Sequence, residues 1–182
     1  MIKIYPYVTI GGLGTRLKQL SPTDKHLLYF KDKQIIEWIL DTVPNCKIIG
    51  EIKTNSRKET LYQITESNNI LIIDCDIIPL NLNIGNIDTQ MDNVFVFTSN
   101  VLKYASILLD NNNQIISTSE NKNISNIKSS GVYFIKNLKE TLSKMTDNSI
   151  LSGMIGAKVI YEETFIRLGD IADYTFAVKN IC

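Results

Sequence analysis

The segment Tyr7 to Leu17 constrains this chain more than any other. An apolar run, Tyr7 to Ile10, reads as a β-strand. It leads directly into Gly11-Gly12-Leu13-Gly14-Thr15-Arg16-Leu17. Glycine permits backbone that other residues resist and lets a ligand approach the main chain. Successive N–H groups in such a turn can converge on an anion. Arg16 adds a fixed positive charge with a planar fork of donors suited to phosphate oxygens. A strand, a glycine turn and an arginine together predict a phosphate-holding loop at the end of the first strand. Two familiar phosphate loops do not fit. A P-loop closes on Gly-Lys-Ser/Thr, whereas this turn closes on Gly14-Thr15-Arg16, and a dinucleotide fingerprint starting at Gly12 would need glycine where Leu17 stands. Glycines alone would fit an ordinary strand-to-loop turn; Thr15-Arg16-Leu17 and the downstream features carry the functional reading.

At 182 residues the chain is read as one domain, 1–182, with a single substantial core. Its hydrophobic content of 44% and charged content of 21% are those of an ordinary globular protein. A net charge of +0 argues against a nucleic-acid-binding surface, while a local cluster of Arg and Lys still suffices for a nucleotide. Cys46, Cys75 and Cys182 have no paired spacing, which fits a reducing compartment and no zinc site. Neither a leader peptide nor an apolar stretch of membrane-spanning length is visible, so a cytoplasmic protein without a membrane partner is expected.

Downstream of the loop, Ser21-Pro22-Thr23-Asp24 reads as a turn that delivers Lys25. Gln34 to Val43 has the helical period, with Ile35, Ile39 and Val43 on one face, and Pro44 stops it. Lys47 to Gly50 is a short strand. Ser56 and Glu59 have the spacing of a capping box that opens a second helix, with Leu61 and Ile64 facing inward. The continuous apolar run Ile70 to Ile73 suits a central strand of a parallel sheet. It ends on Asp74-Cys75-Asp76, at the strand end where open α/β sheets bind ligands. Two carboxylates there could hold Mg²⁺, which prefers oxygen ligands; a plain strand-end pair of aspartates is the competing reading. Strand, helix, strand, helix, strand implies parallel pairing.

The second half reads differently. Val94 to Phe97 is a strand, and Asp110-Asn111-Asn112-Asn113 marks a hairpin between Ser106–Leu109 and Gln114–Ser119. Asn121 to Lys128 is polar and reads as a flexible loop or lid. Ser129 to Phe134 is a strand, Leu138 to Met145 and Ser149 to Ile155 are helices, and Lys158 to Glu162 is a strand. Asp170 suits the N-cap of a last helix, Ile171 to Lys179, with Asp173 at its third position.

Gly11-Gly12-Leu13-Gly14-Thr15-Arg16-Leu17 followed by Asp24-Lys25-His26-Leu27 resembles sugar-phosphate nucleotidyltransferases, in which a G-G-x-G-T-R-L loop precedes P-K-x-L. Asp24 stands where the family has proline. The resemblance extends to Tyr174 and implies a three-layer α/β/α domain, with a mostly parallel Rossmann-like sheet and a small β insertion for the sugar. It implies an enzyme that joins an NTP to a sugar 1-phosphate and releases pyrophosphate. Gly11, Gly12, Gly14 and Thr15 would cradle the triphosphate, Arg16 would stabilise the leaving pyrophosphate, and Lys25 the transferred phosphate. Thr60, the only match to a G-T-A segment, would touch the base or the sugar. Asp76, supported by Asp74, would hold Mg²⁺. Glu120 corresponds to the acidic residue of an E-K-P segment, and Gly131 to the glycine of a G-[IV]-Y-x-F strand, both at the sugar. The closing W-x-D-I-G-T-P-x-D-Y motif departs at one point: the aspartate that supplies a second metal contact falls on Arg167. The cation would then be held by Asp76 with water and phosphate oxygens, or Asp170 would substitute, or catalysis would be impaired. A nucleotide-binding relative that does not turn over, and cytidylyl transfer to a phospho-alcohol such as phosphocholine, are the alternatives. The oligomeric state, a homo-oligomer included, stays open.

Overall fold

The computed structural model describes residues 2–10, 24–52, 54, 56–120, 122–146, 149–162 and 164–181. The elements run β1 (Tyr5–Thr9), β2 (Tyr29–Phe30), β3 (Lys33–Gln34), α1 (Ile35–Thr42), β4 (Lys47–Ile49), α2 (Arg57–Leu61), β5 (Asn68–Asp74) and β6 (Ile77–Pro79). They continue with β7 (Asn93–Thr98), β8 (Ser106–Leu109), β9 (Ile115–Ser119), β10 (Ile127–Asn137), α3 (Leu138–Lys144), β11 (Lys158–Tyr161), β12 (Phe165–Arg167) and α4 (Ile171–Asn180).

The central sheet has the order β11-β7-β10-β5-β1-β4. β4, β1 and β5 pair in parallel, as do β11 and β7, while β10 runs antiparallel to both of its neighbours. The sheet is therefore mostly parallel with one reversed strand, and the β8–β9 hairpin branches from the start of β10. Period-two alternation along β5 sends Leu71 and Ile73 into one apolar cluster and Ile70 and Ile72 into the other, all four fully buried. The first cluster takes Ile35, Ile36 and Ile39 of α1 and Ala177 of α4; the second takes Leu61 of α2 and Leu138 and Leu142 of α3. Helices on both faces of one sheet give the expected three-layer α/β/α architecture.

Local signals account for most element ends. The α1 cap is reciprocal: Gln34 accepts from the backbone of Glu37, and the Glu37 carboxylate accepts from the Gln34 N–H at 2.7 Å. Ser56 accepts from the Glu59 N–H at 3.1 Å, as its spacing predicts. The first strand starts earlier than its apolar run and includes Pro6. The missing N–H is tolerated because β4 begins opposite Tyr7, so Pro6 has a strand on one side only.

Three expectations are corrected. The strand expected over Ile70–Ile73 runs from Asn68 to Asp74, and Cys75 and Asp76 form a turn into β6. The helix expected over Ser149–Ile155 is a 3₁₀ turn, Ile150–Gly153, laid so close to α3 that a Cβ on Gly153 would sit 2.5 Å from the Thr141 carbonyl oxygen. The loop read over Asn121–Lys128 is not a free lid in its described part, since the Ser106 hydroxyl donates to the Lys122 carbonyl at 2.7 Å and accepts from the Ile124 N–H at 3.2 Å. Lys128 itself lies in β10, fully buried, with its ammonium on the Asn123 side chain. Among the described residues no helix is long and apolar enough to cross a membrane.

Candidate active site

Parallel pairing sets Thr9, the last residue of β1, abreast of Asp74, the last residue of β5. The Ile10 N–H then donates to Ile49 at 2.9 Å, which holds the chain at this sheet edge one residue before Gly11. Gly11, Gly12, Gly14, Thr15 and Arg16 lie outside the described residues. The chain is described again from Asp24, where the 3₁₀ turn Lys25–Leu27 begins, and the Lys25 ammonium forms an ion pair with Asp76. The described residues Thr9 and Lys25 are thus both brought to the tip of β5.

A cavity of about 250 Å³ opens at this tip. Its described lining comes from both halves of the chain: Arg57, Asp74, Asp76 and Ile77 from the first, and Lys103 to Ala105, Glu120, Ser129 to Gly131, Tyr133, Ser149, Arg167, Gly169, Asp170 and Asp173 from the second. The reversal of β10 makes this convergence possible. Val132 pairs with Ile73, so the entering end of β10 meets the exit end of β5. The register of β10 on β7 breaks between Ser129 and Tyr133, and Gly131 occupies that irregularity with φ +86°. A Cβ on Gly131 would lie 3.1 Å from Asp74 Oδ2, so the backbone approaches the carboxylate as closely as glycine allows.

Arg57, at the start of α2, reaches across to Asp74 and lies over the Tyr133 ring, 5.7 Å from its centroid. Burial pushes the Asp74 carboxyl up, and the Arg57 guanidinium works against that shift. Across the cavity, Lys103 Nζ bridges Asp170 at 2.8 Å and Asp173 at 2.7 Å, and the Tyr104 hydroxyl donates to Asp173 at 2.7 Å. Burial disfavours the Lys103 ammonium, but the two carboxylates outweigh it and hold its pKa above the ordinary lysine value. Burial, reinforced by the bond to Asp173, pushes Tyr104 up to about 12. The Arg167 guanidinium stacks on Phe97, 3.4 Å from the ring centroid, and Phe97 meets Tyr104 edge to face. Asp170 caps α4 as expected, accepting from the Asp173 N–H at 2.9 Å.

Of the residues singled out in the sequence, Lys25, Asp74, Asp76, Glu120 and Gly131 come together here. Thr60 does not. It is 3% exposed, and its hydroxyl is engaged with Thr54 at 2.6 Å and with the Ser56 carbonyl at 3.3 Å. Sequence reasoning missed Arg57, Lys103, Tyr104 and Tyr133. Arg57 is hidden inside a capping-box segment, and Lys103 meets Asp173 across 70 positions of chain, a pairing that no local pattern announces.

No family model matches the sequence, and no curated protein matches it either. Solved structures do. A nucleoside-diphosphate-sugar pyrophosphorylase from Vibrio cholerae RC9 superposes with a TM-score of 0.75 at 14% identity, over 96% of this chain and 100% of the other. The CTP:phosphocholine cytidylyltransferase of Streptococcus pneumoniae gives 0.75 at 14% identity over 100% of each chain. An inositol-1-phosphate CTP transferase from T. maritima gives 0.66 at 13% identity, over 97% and 96%. The chain has the nucleotidyltransferase fold.

Proposed function

We propose that the protein is a nucleotidyltransferase that joins an NTP to a sugar 1-phosphate, giving an NDP-sugar and pyrophosphate, with Mg²⁺ as cofactor and the cytoplasm as its compartment. An oxygen of the sugar phosphate forms a bond to the α-phosphorus of the NTP as the bond to the β-phosphate oxygen breaks. The attacking oxygen is already ionised, so the reaction needs positioning and charge neutralisation rather than a base. The main chain at Gly11, Gly12, Gly14 and Thr15 cradles the triphosphate, and Arg16 offsets charge on the departing pyrophosphate. Lys25 holds the transferred phosphate. Glu120 and Gly131 meet the sugar. The observation that carries this reading is the meeting of Thr9, abreast of Asp74, and Lys25, paired with Asp76, at one strand tip.

The donor set fits a hard divalent cation. Asp76 presents a carboxylate oxygen to the cavity, beside Gly169, where the absence of a side chain leaves room next to that oxygen. Asp76 with Asp74 behind it would hold Mg²⁺, and the cation would supply charge compensation to the phosphates. Incubation with each NTP, Mg²⁺ and a panel of sugar 1-phosphates should release pyrophosphate. Silence across the panel, with no NTP binding by calorimetry, sinks the proposal. The full-length superposition on a phosphocholine cytidylyltransferase favours a second reading, CTP with a phospho-alcohol, so phosphocholine belongs in the panel. NTP binding without turnover would point to a nucleotide-binding relative in which Arg167 has replaced a needed carboxylate.

A further inference from the structure

The Arg and Lys side chains in the described cavity lining are supported in different ways. Arg57 is paired with Asp74, and Lys103 bridges Asp170 and Asp173. Arg167 is stacked on the Phe97 ring, 3.4 Å from its centroid. Phe97 is itself 6% exposed and meets Tyr104 edge to face, and the Tyr104 hydroxyl is fixed on Asp173 at 2.7 Å. The support under Arg167 is therefore packed on its far side and cannot swing away. Stacking engages the face of a guanidinium, while its five N–H donors lie in the plane. A group held in this way is preorganised to take two oxygens of a phosphate by one edge.

Its place in the fold says which phosphate. Arg167 ends β12 opposite Ile77, and the Leu168 N–H donates to the Asp76 carbonyl at 2.8 Å. The backbone at Arg167 is thus tied to the turn that carries Asp76, the partner of Lys25. Arg167 also comes from the half of the chain that supplies Glu120 and Ser129 to Gly131 to the same lining. It stands between the turn assigned to the transferred phosphate and the wall assigned to the sugar. Position 167 is, in addition, where the closing motif has an aspartate. A carboxylate there would repel a phosphate, whereas a guanidinium attracts it directly. Two phosphates must approach each other for the transfer, and a fixed cation beside them offsets their repulsion without reorganising.

We propose that Arg167 is a catalytic residue of this cavity: stacked on Phe97, its guanidinium binds the phosphate of the acceptor and holds it beside the Asp76 turn. The arginine is then a working replacement at its position rather than a lost carboxylate. That the phosphate belongs to an acceptor rests on the nucleotidyltransferase reading, but anion binding by Arg167 can be measured without nucleotide. Phe97 and Tyr104 are positioning residues, which fix the plane of the guanidinium and touch no substrate themselves.

The test uses inorganic phosphate as probe on the nucleotide-free protein, with its ³¹P resonance followed through a titration. Arg167→Ala should weaken phosphate binding about tenfold or more, the scale of a lost hydrogen bond to a charged group. Arg167→Lys keeps the charge without the planar fork and should stay weaker than wild type. Guanidinium chloride below denaturing concentration should restore binding to Arg167→Ala, and sodium chloride at the same ionic strength should not. Phe97→Leu should fall between wild type and Arg167→Ala; thermal melting checks its fold, and if it melts early Arg167→Lys carries the test. In the pyrophosphate assay Arg167→Ala should raise the KM of the acceptor and leave that of the NTP unchanged, and Arg167→Asp should lose turnover. A gain of turnover in Arg167→Asp overturns the proposal, as does wild-type phosphate affinity in Arg167→Ala or no phosphate binding by wild type. Phosphate binding that depends on Arg167, in a protein that releases no pyrophosphate on any substrate, keeps the anion site and sinks the transfer reaction. Turnover with an acceptor KM indifferent to Arg167 does the reverse.

Discussion

Gly131 and Gly156 form a natural pair for measuring how tightly β10 is pressed against the acidic tip. They have nearly the same left-handed backbone, with φ +86° and +89°. Their surroundings differ. A Cβ on Gly131 would stand 2.9 Å from Ile77 Cγ1 and 3.1 Å from Asp74 Oδ2, whereas a Cβ on Gly156 would meet nothing within 4 Å. Alanine at either position takes on the left-handed strain of an L-residue, about 1–2 kcal/mol, and gains the same small entropic benefit from a stiffer unfolded chain. Those contributions cancel between the two variants. What remains at Gly131 is the cost of moving Ile77 and a buried carboxylate, about 1–3 kcal/mol on the scale of overpacked cores. Gly156→Ala should therefore lose about 1–2 kcal/mol and Gly131→Ala about 2–5 kcal/mol. At roughly 2–4 °C per kcal/mol for a chain of this size, Gly131→Ala should melt about 5–15 °C lower than wild type. Urea denaturation followed by circular dichroism measures both, provided the slopes match so that midpoints report stability. Equal losses in the two variants, or a Gly131→Ala loss within about 0.5 kcal/mol of wild type, a size typical of unconstrained surface positions, would refute the close approach of β10 to Asp74.

Lys25→Met should lower the rate of pyrophosphate release about 10²–10³-fold, the usual loss when one charge-stabilising group is removed from a transfer site; a steady-state assay with unchanged kcat would remove Lys25 from the mechanism. Burial, with Asp76 reinforcing it, pushes the Cys75 thiol up to about 12, and burial pushes Cys46 up to about 12 against a backbone hydrogen bond from Val8. Both should resist alkylation at pH 8 in the native protein and react after unfolding, as peptide mass mapping would show. Burial opposes ionisation of Asp170, but the hydrogen bond from Lys103 outweighs it and lowers its pKa. The resulting stability is present above about pH 4, the unfolded value, and is lost as pH falls through the lower native value. Lys103→Met should therefore be less stable than wild type at neutral pH, and the two melting curves should converge towards pH 3; a constant gap across that range would refute the coupling.

How much of this was readable in the sequence follows from the range of the interactions involved. The cap at Ser56, the cap at Asp170, the face of α1 and the hairpin around Asp110 all depend on residues a few positions apart, and each appears as its spacing predicts. Lys25 and Asp76 meet across 51 positions, as expected of residues that follow the ends of two parallel neighbouring strands, β1 and β5. Arg57 with Asp74, and Lys103 with Asp173, depend on which way side chains leave a five-residue helix and an irregular segment, and no periodicity encodes that direction. Thr60 shows the same limit from the other side. It matches a substrate-contacting segment by sequence, yet α2 turns its hydroxyl inward to Thr54 and Ser56. The segment Ser149–Ile155 is apolar enough to read as a helix, but Gly153 lies so close to the Thr141 carbonyl of α3 that only a 3₁₀ turn, Ile150–Gly153, forms.

The reversed strand ties these observations to function. Had β10 run parallel to β5, its entering end and the β8–β9 hairpin would lie at the opposite edge of the sheet, away from Asp74 and Asp76. Running antiparallel, it brings Ser129, Ser130 and Gly131 to the same edge as Thr9 and Asp74 without a crossover. The first half of the chain can then present the carboxylate turn after β5, and the second half faces it with Arg167, Lys103 and the first turn of α4. That division explains why the cavity is highly charged yet closely compensated. Each half contributes cations and carboxylates of its own, and Gly169 is where Asp76 of the first half and Asp173 of the second come nearest to the same point.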